Sequence, residues 1–482
     1  MSDGSDRSEM RSNGTRTSED VGPASEPTLP SVLEPPRVVF VRARRGATPL
    51  APRLPGSKYY TLRYVLNSLL ADGESVVRFP ALSDDTAVLV AAIRALGATA
   101  QWERDAADPT SWALHVVGCA GKPRVPPAGV LSVGNAGAVL RLLLGIGALL
   151  PEIRFETDHP LSLGRRPNAD LLAALASLGI AVEARGEEGL LPITLRGGPP
   201  RGGAVSVSGA RSSQYLSALL YLAPLLPDGL TITVPDTLRS APIARATLLA
   251  LAAAGIHVAA ANDLRRFVVP GGRTYRAGVY DVPADGPSAA ALASAALALD
   301  APLRLERLAA GEDDMRALVA ALDTFGAPLS QRPDDANGGA LALEAGAHLR
   351  GAHVDGDGCI DSVPVLAAAA CFAEGETRFA NVATLRLKES DRIEDLCAEL
   401  RRAGCAVDPL PDAIVVRGQP DGIVGGVTVD GHDDHRLVQA LAIVALRSRD
   451  GLTITGANAV AKSYPWFFED LERMGADVTP LE

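Results

Sequence analysis

Hydrophobic and polar residues recur along this chain in one pattern that appears six times. In each copy an apolar helical face leads to a glycine and a short apolar stretch follows: IRALGATA (93–100), LASLGIAV (175–182), LAAAGIHV (251–258), LDTFGAPL (322–329), LRRAGCAV (400–407) and LERMGADV (471–478). Five of the six copies have apolar residues four and eight positions before the glycine, which is one face of a helix; the third has Thr247 at the distant position. A glycine after the last helical turn adopts the left-handed C-cap. The pattern therefore predicts a helix, a glycine cap and a strand in each copy.

The spacing of these glycines predicts a repeated α/β unit. Consecutive copies lie 82, 76, 71, 78 and 71 residues apart, which exceeds the roughly 20–50 residues of solenoid repeats. An Ala-rich α/β protein caps some helices with glycine in any case, and that explains one or two copies. Six copies at near-constant spacing indicate six copies of one folding unit.

Composition limits the class of protein. The chain has 482 residues, enough for two or more domains, and its 47% hydrophobic but only 4% aromatic content predicts a core of Ala, Leu and Val. Residues 1–36 lack the apolar segment of a signal peptide and have the polar composition of a disordered tail. No apolar run is long enough to span a bilayer, so we expect no membrane partner. The five cysteines show neither metal spacing nor a disulfide framework, and this favours a cytoplasmic location.

The net charge argues against nucleic acid as a partner. The formal charge is −11, whereas nucleic-acid-binding proteins present basic surfaces. An anionic small molecule can still bind such a protein, but only in a local basic cleft.

Seven polar clusters between the repeats could form such a cleft. They are LPGSK (54–58) followed by Arg63, SVGNAG (132–137), GRRP (164–167), SSQ (212–214), LRLKESDR (385–392), DDHR (433–436) and AKSYP (461–465). Taken singly, most read equally well as helix caps or solvated loops. Together they place a basic residue in most clusters, and several precede predicted helices, whose N-termini bind anions. This arrangement predicts a cleft that gathers two anions.

The segment 385–392 is the strongest of these clusters. Five of its eight residues are charged, in a chain that is 21% charged. Glu389 and Arg392 are three residues apart and would be neighbours on a helix. The alternative is a solvated, salt-bridged turn.

As an ordered set, these motifs resemble the enolpyruvyl transferases, and most closely the branch of the 5-enolpyruvylshikimate-3-phosphate synthases. The UDP-N-acetylglucosamine enolpyruvyl transferases are more distant. The resemblance covers residues 37–482. It implies two inverted α/β domains, each of three βαβαββ units, with the active site in the interdomain cleft. The first domain would be 57–282, and the second would combine 37–56 with 283–482.

The resemblance also implies the reaction. The enolpyruvyl group of phosphoenolpyruvate moves to a hydroxyl of a phosphorylated small-molecule acceptor, and phosphate is released. Such a reaction needs a proton for the vinyl carbon, a base for the hydroxyl and cations for phosphate and carboxylate. No metal or organic cofactor is expected, and we expect a monomer.

Residue by residue, the resemblance implies three groups of site residues. The catalytic residues would be Lys58, Asp361 and Glu389, with Lys58 and Glu389 as candidate proton donors. The phosphoenolpyruvate site would comprise Lys58, Gly137, Arg166, Arg392, Arg436 and Lys462. The acceptor site would comprise Tyr59, Arg63, Ser212, Ser213, Gln214, Ser240, Asp361 and Lys388.

The departures from the family pattern fall on the acceptor side. Tyr59 stands where the shikimate enzymes have Ser, and Ile243 stands where many of them have Tyr. Ala138, Leu142 and Leu161 also depart from residues of the known branches. A ring beside the acceptor could stack on a nucleobase, although Tyr59 could instead pack as core.

Three hypotheses follow from these departures. The favoured one is an enzyme of nucleoside-antibiotic biosynthesis, of the nikkomycin and polyoxin type, whose acceptor is a nucleotide such as uridine monophosphate. The first alternative is the 3-phosphoshikimate 1-carboxyvinyltransferase of the shikimate pathway. The second alternative is a catalytically inactive binding protein on the same fold.

Overall fold

The computed structural model describes residues 34–44, 52–104, 111–309, 312–332 and 339–481. The tail predicted over 1–36 lies outside the described residues except for residues 34–36.

The described residues form helices and strands that alternate along the chain. The helices are α1 (Lys58–Leu70), α2 (Asp84–Ala95), α3 (Gly137–Gly147), α4 (Ala169–Ser177), α5 (Ser213–Leu222), α6 (Ala241–Ala253), α7 (Gly286–Leu299), α8 (Asp313–Thr324), α9 (Val363–Ala370), α10 (Glu394–Ala403), α11 (His435–Ala445) and α12 (Phe467–Met474). The strands in the first half are β1 (Val38–Ala43), β2 (Ala71–Asp72), β3 (Glu74–Arg78), β4 (Thr99–Arg104), β5 (Trp112–Val117), β6 (Val130–Ser132), β7 (Glu152–Glu156), β8 (Ala181–Arg185), β9 (Leu190–Arg196), β10 (Gly203–Ser206), β11 (Leu230–Thr233), β12 (Ala259–Ala260) and β13 (Arg266–Val269). The remaining strands are β14 (Tyr275–Arg276), β15 (Val279–Asp281), β16 (Leu303–Leu308), β17 (Leu329–Arg332), β18 (Gly339–Leu343), β19 (His353–Asp355), β20 (Glu376–Ala380), β21 (Ala406–Leu410), β22 (Ala413–Arg417), β23 (Val427–Asp430), β24 (Leu452–Thr455) and β25 (Ala476–Pro480).

The sixfold pattern of helix, glycine and strand is confirmed. Each even-numbered helix from α2 to α12 ends just before its glycine, and a strand begins shortly after it. All six glycines have positive φ, between 78° and 112°. Because side chains with a Cβ resist this conformation, glycine terminates these helices at little cost.

One sheet topology is repeated through the molecule. In the second unit, β6 pairs with β7 in parallel, and β7, β9 and β8 follow in antiparallel order. The sheets β10-β11-β13-β12 and β19-β20-β22-β21 have the same arrangement. With the intervening helices, each is a βαβαββ unit. In the described residues the fourth unit has three strands, β16-β18-β17.

Two units are completed by strands from distant parts of the chain. Strand β15 lies parallel to β3 and begins the first sheet, although it follows the third unit in sequence. Strand β1 at the N-terminal end pairs antiparallel with both β24 and β25 and completes the last sheet. The chain therefore crosses between the two groups of units twice.

The buried hydrophobic residues that the structure describes form two separate core clusters. One contains buried residues between Tyr60 and Val282, and the other contains Val39, Val41, Leu54 and buried residues between Ala284 and Val478. The domain limits 57–282 and 37–56 plus 283–482 stay a prediction, which this division of the core supports.

The two crossovers lie side by side. The Ser57 amide donates to the Pro283 carbonyl at 2.7 Å, and the Asp285 amide donates to the Pro55 carbonyl at 2.9 Å. This short paired segment precedes both α1 and α7, so the first turns of these two helices start from a common point. Among the described residues, none of the helices has the length and apolarity needed to cross a membrane.

Candidate active site

The cleft between the two groups of units is bordered by the N-termini of buried helices. Helices α1, α3, α5 and α6 reach it from one side, and α11 and the turn before α9 reach it from the other. Because helix N-termini present unpaired N–H groups and a partial positive charge, their convergence favours anions.

The structure brings most of the predicted site residues into the wall of this cleft. Those that line it are Lys58, Tyr59, Arg63, Gly137, Arg166, Ser212, Ser213, Gln214, Ser240, Asp361, Lys388, Glu389 and Arg392. Arg436 and Lys462 are buried and do not themselves line the cleft, but each adjoins a lining residue, His435 for Arg436 and Glu389 for Lys462. The Arg436 guanidinium is 3.7 Å from Asp285, and the Lys462 ammonium is 3.7 Å from Glu389. The roles assigned to all of these residues remain predictions.

Asp361 is held by two cations and a phenol. Its Oδ1 accepts from Lys388 Nζ and from Arg392 Nη1, each at 2.9 Å. Its Oδ2 accepts from the Tyr59 hydroxyl. Burial alone would raise the pKa of this carboxyl, but the charges of Lys388, Arg392 and Arg436 outweigh burial and hold the pKa far below its usual range. Asp361 is therefore ionised at neutral pH.

Glu389 is also surrounded by cations. Arg392 Nη2 donates to its Oε2 at 2.7 Å, while Arg166 Nη2 and Lys462 Nζ lie 3.8 and 3.7 Å from its Oε1. Burial opposes ionisation, yet the charges of Arg392, Arg166 and Lys462 lower its pKa well below the ordinary glutamate value. Glu389 can accept a proton but does not carry one at neutral pH.

Arg392 links three carboxylates. Besides Asp361 and Glu389 it donates to both oxygens of Asp434, at 2.7 and 3.0 Å. Its side chain is 2% exposed, and these carboxylates raise its pKa further despite burial. The alternative reading of the segment 385–392 as a solvated, salt-bridged turn therefore does not describe Arg392, although Arg386 and Asp391 in the same segment do form a partly exposed salt bridge.

Lys58 retains its proton in this setting. Its ammonium lies 3.2 Å from Asp85. Burial tends to lower its pKa, but the carboxylates of Asp85 and Glu389 outweigh burial and raise it. Of the two candidate proton donors, Lys58 is protonated and Glu389 is ionised.

Several buried cations have donor groups without a protein partner. Arg166 Nε and Nη2, Lys462 Nζ and Arg436 Nε are buried and make no hydrogen bond within the described structure. Buried polar groups are normally satisfied. Unused donors on Arg166 and Lys462 beside Glu389, and on Arg436 beside Asp285, fit the binding of an anion such as phosphate or carboxylate.

Gly137 leaves room for one of these cations. A Cβ built on Gly137 would lie 2.8 Å from Arg166 Nη1. The first residue of α3 must therefore lack a side chain if the Arg166 guanidinium is to keep its place.

The acceptor side is built from helix caps. Ser212 Oγ accepts from the Gln214 amide at 3.2 Å, so the capping interpretation of this hydroxyl is correct, and Ser212 also lines the cleft. Ser240 has a left-handed backbone, with φ of 53°, and its amide donates to Asp357 Oδ1 at 2.9 Å. This hydrogen bond connects the two sides of the cleft.

The guanidinium N–H groups of Arg63 donate to oxygens of the protein itself. It donates to Thr247 Oγ1 at 2.8 Å and to the carbonyls of Tyr59 and Ile243 at 2.9 and 3.1 Å. Arg63 lines the cleft, but its hydrogen bonds go to residues of its own domain. Arg166, by contrast, has two donor groups without a partner in the described structure. Tyr59 is only partly buried, so it does not pack as core.

The sequence motifs give no role to Arg141, Asp434 or His435. Arg141 lines the cleft, donates to Gln214 Oε1 at 2.9 Å and lies over the Tyr215 ring at 5.3 Å. Burial and the nearby Arg436 and Lys58 charges lower the pKa of His435 well below its usual value, so it is neutral. The sequence does contain a signal for Arg141, because this residue lies one helical turn after Gly137, a predicted site residue.

Comparisons with known proteins agree with this geometry. The sequence model for EPSP synthase (3-phosphoshikimate 1-carboxyvinyltransferase) matches residues 51–471. A 3-phosphoshikimate 1-carboxyvinyltransferase from Deinococcus radiodurans is 43% identical over 424 residues, 87% of this chain and 92% of that protein. One from Burkholderia pseudomallei is 34% identical over 428 residues, 89% of this chain and 92% of that protein.

Solved structures show the same fold. An EPSP synthase from Acinetobacter baumannii has a TM-score of 0.75 at 26% identity, covering 92% of this chain and 100% of its own. The enolpyruvyl transferase NikO from Streptomyces tendae has a TM-score of 0.70 at 19% identity, covering 92% and 99%. At that identity the likeness concerns the fold alone.

The chain belongs to the EPSP synthase family and is an enolpyruvyl (1-carboxyvinyl) transferase. The predicted fold class, two α/β domains of an enolpyruvyl transferase, is confirmed. The predicted nucleotide acceptor is not confirmed. The two similar proteins named above are 3-phosphoshikimate 1-carboxyvinyltransferases, a name that corresponds to the alternative acceptor, shikimate 3-phosphate.

Proposed function

We propose that the protein transfers the enolpyruvyl group of phosphoenolpyruvate to a hydroxyl of shikimate 3-phosphate and releases phosphate. The observation that carries this proposal is the paired arrangement of the cleft: buried cations with unused donors on one side, and capped helix N-termini beside an ionised Asp361 on the other. The similarity to 3-phosphoshikimate 1-carboxyvinyltransferases over most of the chain supports the choice of acceptor.

The donor half binds phosphoenolpyruvate through cations. Arg166, Arg436 and Lys462 have free N–H groups that can donate to its phosphate and carboxylate oxygens. Arg392 has its donors engaged by three carboxylates, so we assign it chiefly to holding Asp361 and Glu389. Charge-assisted hydrogen bonds from these buried cations stabilise the charge that develops as phosphate leaves.

The acceptor half activates the hydroxyl. Asp361 accepts the hydroxyl proton while the acceptor oxygen forms a bond to C2 of phosphoenolpyruvate, and the Lys58 ammonium gives a proton to C3. In the second step Glu389, which is ionised, removes a proton from the new methyl group. The C2–O bond to phosphate then breaks, and phosphate leaves with the electron pair.

The proposal is tested by phosphate release with the purified full chain and phosphoenolpyruvate. We expect turnover with shikimate 3-phosphate and none without an acceptor. Glu389→Gln should lower kcat by roughly 10²-fold or more, the scale of a lost general acid–base group. Glu394→Gln is the matched control and should leave turnover at the wild-type level, because Glu394 is exposed at the start of α10, shortly after Glu389. No phosphate release with shikimate 3-phosphate would contradict the proposal.

A nucleotide acceptor is the second candidate, and Tyr59 favours it. The ring borders the cleft and is only partly buried, so one face could stack on a base. Turnover of uridine monophosphate in the same assay, without turnover of shikimate 3-phosphate, would replace the first proposal with this one.

A further inference from the structure

Tyr59 stands between two cavities. The main cleft and a smaller cavity behind it share Tyr59, Ser240, Ile243 and Asp361 as lining residues. The phenol therefore forms part of the partition between them. A small side chain at this position would remove the part of the partition that the phenol forms.

The smaller cavity differs chemically from the main cleft. Its other lining residues are Pro242, Gly286, Pro287, Asp314, Asp357, Gly358, Cys359, Ile360 and Ser362. In the described part of the chain, this lining includes two carboxyls besides Asp361 and no Lys or Arg. Burial raises the pKa of Asp314 to about 6. The cavity therefore suits neutral or hydroxyl-bearing groups and disfavours phosphate or carboxylate.

We propose that Tyr59 is a specificity-determining and positioning residue: its ring closes the acceptor end of the cleft against the acidic cavity, and its hydroxyl holds the ring to Asp361. This inference rests on the proposed function for the chemistry of the acceptor. It limits the acceptor to a compact molecule whose anionic groups stay on the cationic side.

The hydrogen bonds of Asp361 show how an acceptor hydroxyl can approach it. Oδ1 already accepts from Lys388 and Arg392, while among the described residues Oδ2 accepts only from Tyr59. A carboxylate oxygen can accept two hydrogen bonds. The acceptor hydroxyl must therefore bind Oδ2 beside the phenol. A shift of the ring changes both the space for the acceptor and the orientation of the carboxylate that receives its proton.

The contact also joins the two sides of the cleft. Tyr59 lies in the first turn of α1, whereas Asp361 lies in the short 3-10 turn Gly356–Ser362 before α9. Removing the hydroxyl alone, as in Tyr59→Phe, keeps the ring and releases this turn. Removing the whole ring, as in Tyr59→Ala, removes its part of the partition as well. The two variants separate the tether from the partition.

The first experiment does not depend on the acceptor. Hydrogen–deuterium exchange of the full chain without substrates should be at least about fivefold faster in the segment 356–362 of Tyr59→Phe than in wild type. Tyr64→Phe is the matched control. It removes a phenol hydroxyl from the same helix, but Tyr64 stacks on Tyr280 at 4.8 Å and does not line either cavity. Equal exchange in all three proteins would overturn the tether.

The second experiment measures acceptor kinetics. Tyr59→Ala should raise KM for shikimate 3-phosphate about tenfold or more and leave KM for phosphoenolpyruvate within twofold, with a smaller rise for Tyr59→Phe. Millimolar phenol added to Tyr59→Ala should recover most of the lost affinity, and benzene should recover less because it lacks the hydroxyl. An unchanged acceptor KM in Tyr59→Ala would overturn the partition.

Failure of this inference differs from failure of the proposed function. If wild type releases no phosphate with shikimate 3-phosphate, the proposed function fails, and the exchange experiment still decides the tether. Comparing uridine monophosphate with shikimate 3-phosphate as acceptors gives a further test of the partition. The partition predicts that Tyr59→Ala lowers the preference for shikimate 3-phosphate over this nucleotide, whereas a rise in that preference would show that the ring stacks on the base and would overturn the partition.

Discussion

Replacing Arg166 should separate catalysis from stability. The guanidinium has two buried N–H groups, Nε and Nη2, without a hydrogen-bond partner in the described structure, and its one ion-pair partner is Glu389 at 3.8 Å. The folded protein therefore gains little from this cation. Phosphoenolpyruvate, by contrast, can accept hydrogen bonds from both N–H groups.

The magnitude follows from these two donors. A hydrogen bond that involves a charged group contributes about 1.5–3 kcal/mol, so two contribute about 3–6 kcal/mol when phosphoenolpyruvate binds. Arg166→Gln should then lower kcat/KM by roughly 10²- to 10⁴-fold. Its thermal midpoint should fall only slightly, because Glu389 keeps its 2.7 Å hydrogen bond from Arg392 when the Arg166 charge is removed.

The neighbouring residue provides the control. Arg165 is exposed while Arg166 is buried, so Arg165→Gln removes the same charge from the next position. We expect its steady-state phosphate release to remain within about twofold of wild type. Wild-type kcat/KM in Arg166→Gln, or a loss of activity that only follows a large drop in thermal midpoint, would refute the reasoning.

Three further outcomes are expected. Gly137→Ala should raise KM for phosphoenolpyruvate, because a Cβ would lie 2.8 Å from Arg166 Nη1; an unchanged KM would contradict this. Arg392→Ala should lower the free energy of unfolding by about 3–5 kcal/mol, since it leaves the buried carboxylate of Asp434 without its cation, and a thermal midpoint equal to wild type would disprove it. Asp314 has a folded pKa of about 6 against an ordinary 3.8, so its ionisation lowers stability by up to ~3 kcal/mol as pH rises from about 4 to 6. Asp314→Asn should therefore raise the urea midpoint at pH 7.5 and lose that gain near pH 4.

The local elements of the fold were predictable from sequence because they depend on neighbouring residues. A glycine after a periodic apolar segment specifies a left-handed cap wherever it occurs, and all six capping glycines adopt it. The two units completed by β1 and β15 were harder to foresee. Strands β15 and β1 pair with strands about 200 or more residues away in the sequence. The periodicity of apolar residues is local and does not predict pairing over such a distance.

The site was predictable as a set of residues but not as a network. The motifs placed Arg392 and Glu389 together because they are three residues apart. The pairing of Arg392 with Asp434, and of Tyr59 with Asp361, depends on how the chain returns across the cleft. Arg63 illustrates the same limit, since its sequence position does not reveal that Thr247 and Ile243 take its donors.

The reaction itself is tested most directly by following both products together. Phosphorus and proton NMR of the full chain with phosphoenolpyruvate and shikimate 3-phosphate should show inorganic phosphate and the vinyl protons of a new enol ether in equal amounts. Phosphate accompanied by pyruvate, or unchanged phosphoenolpyruvate, would contradict enolpyruvyl transfer to this acceptor.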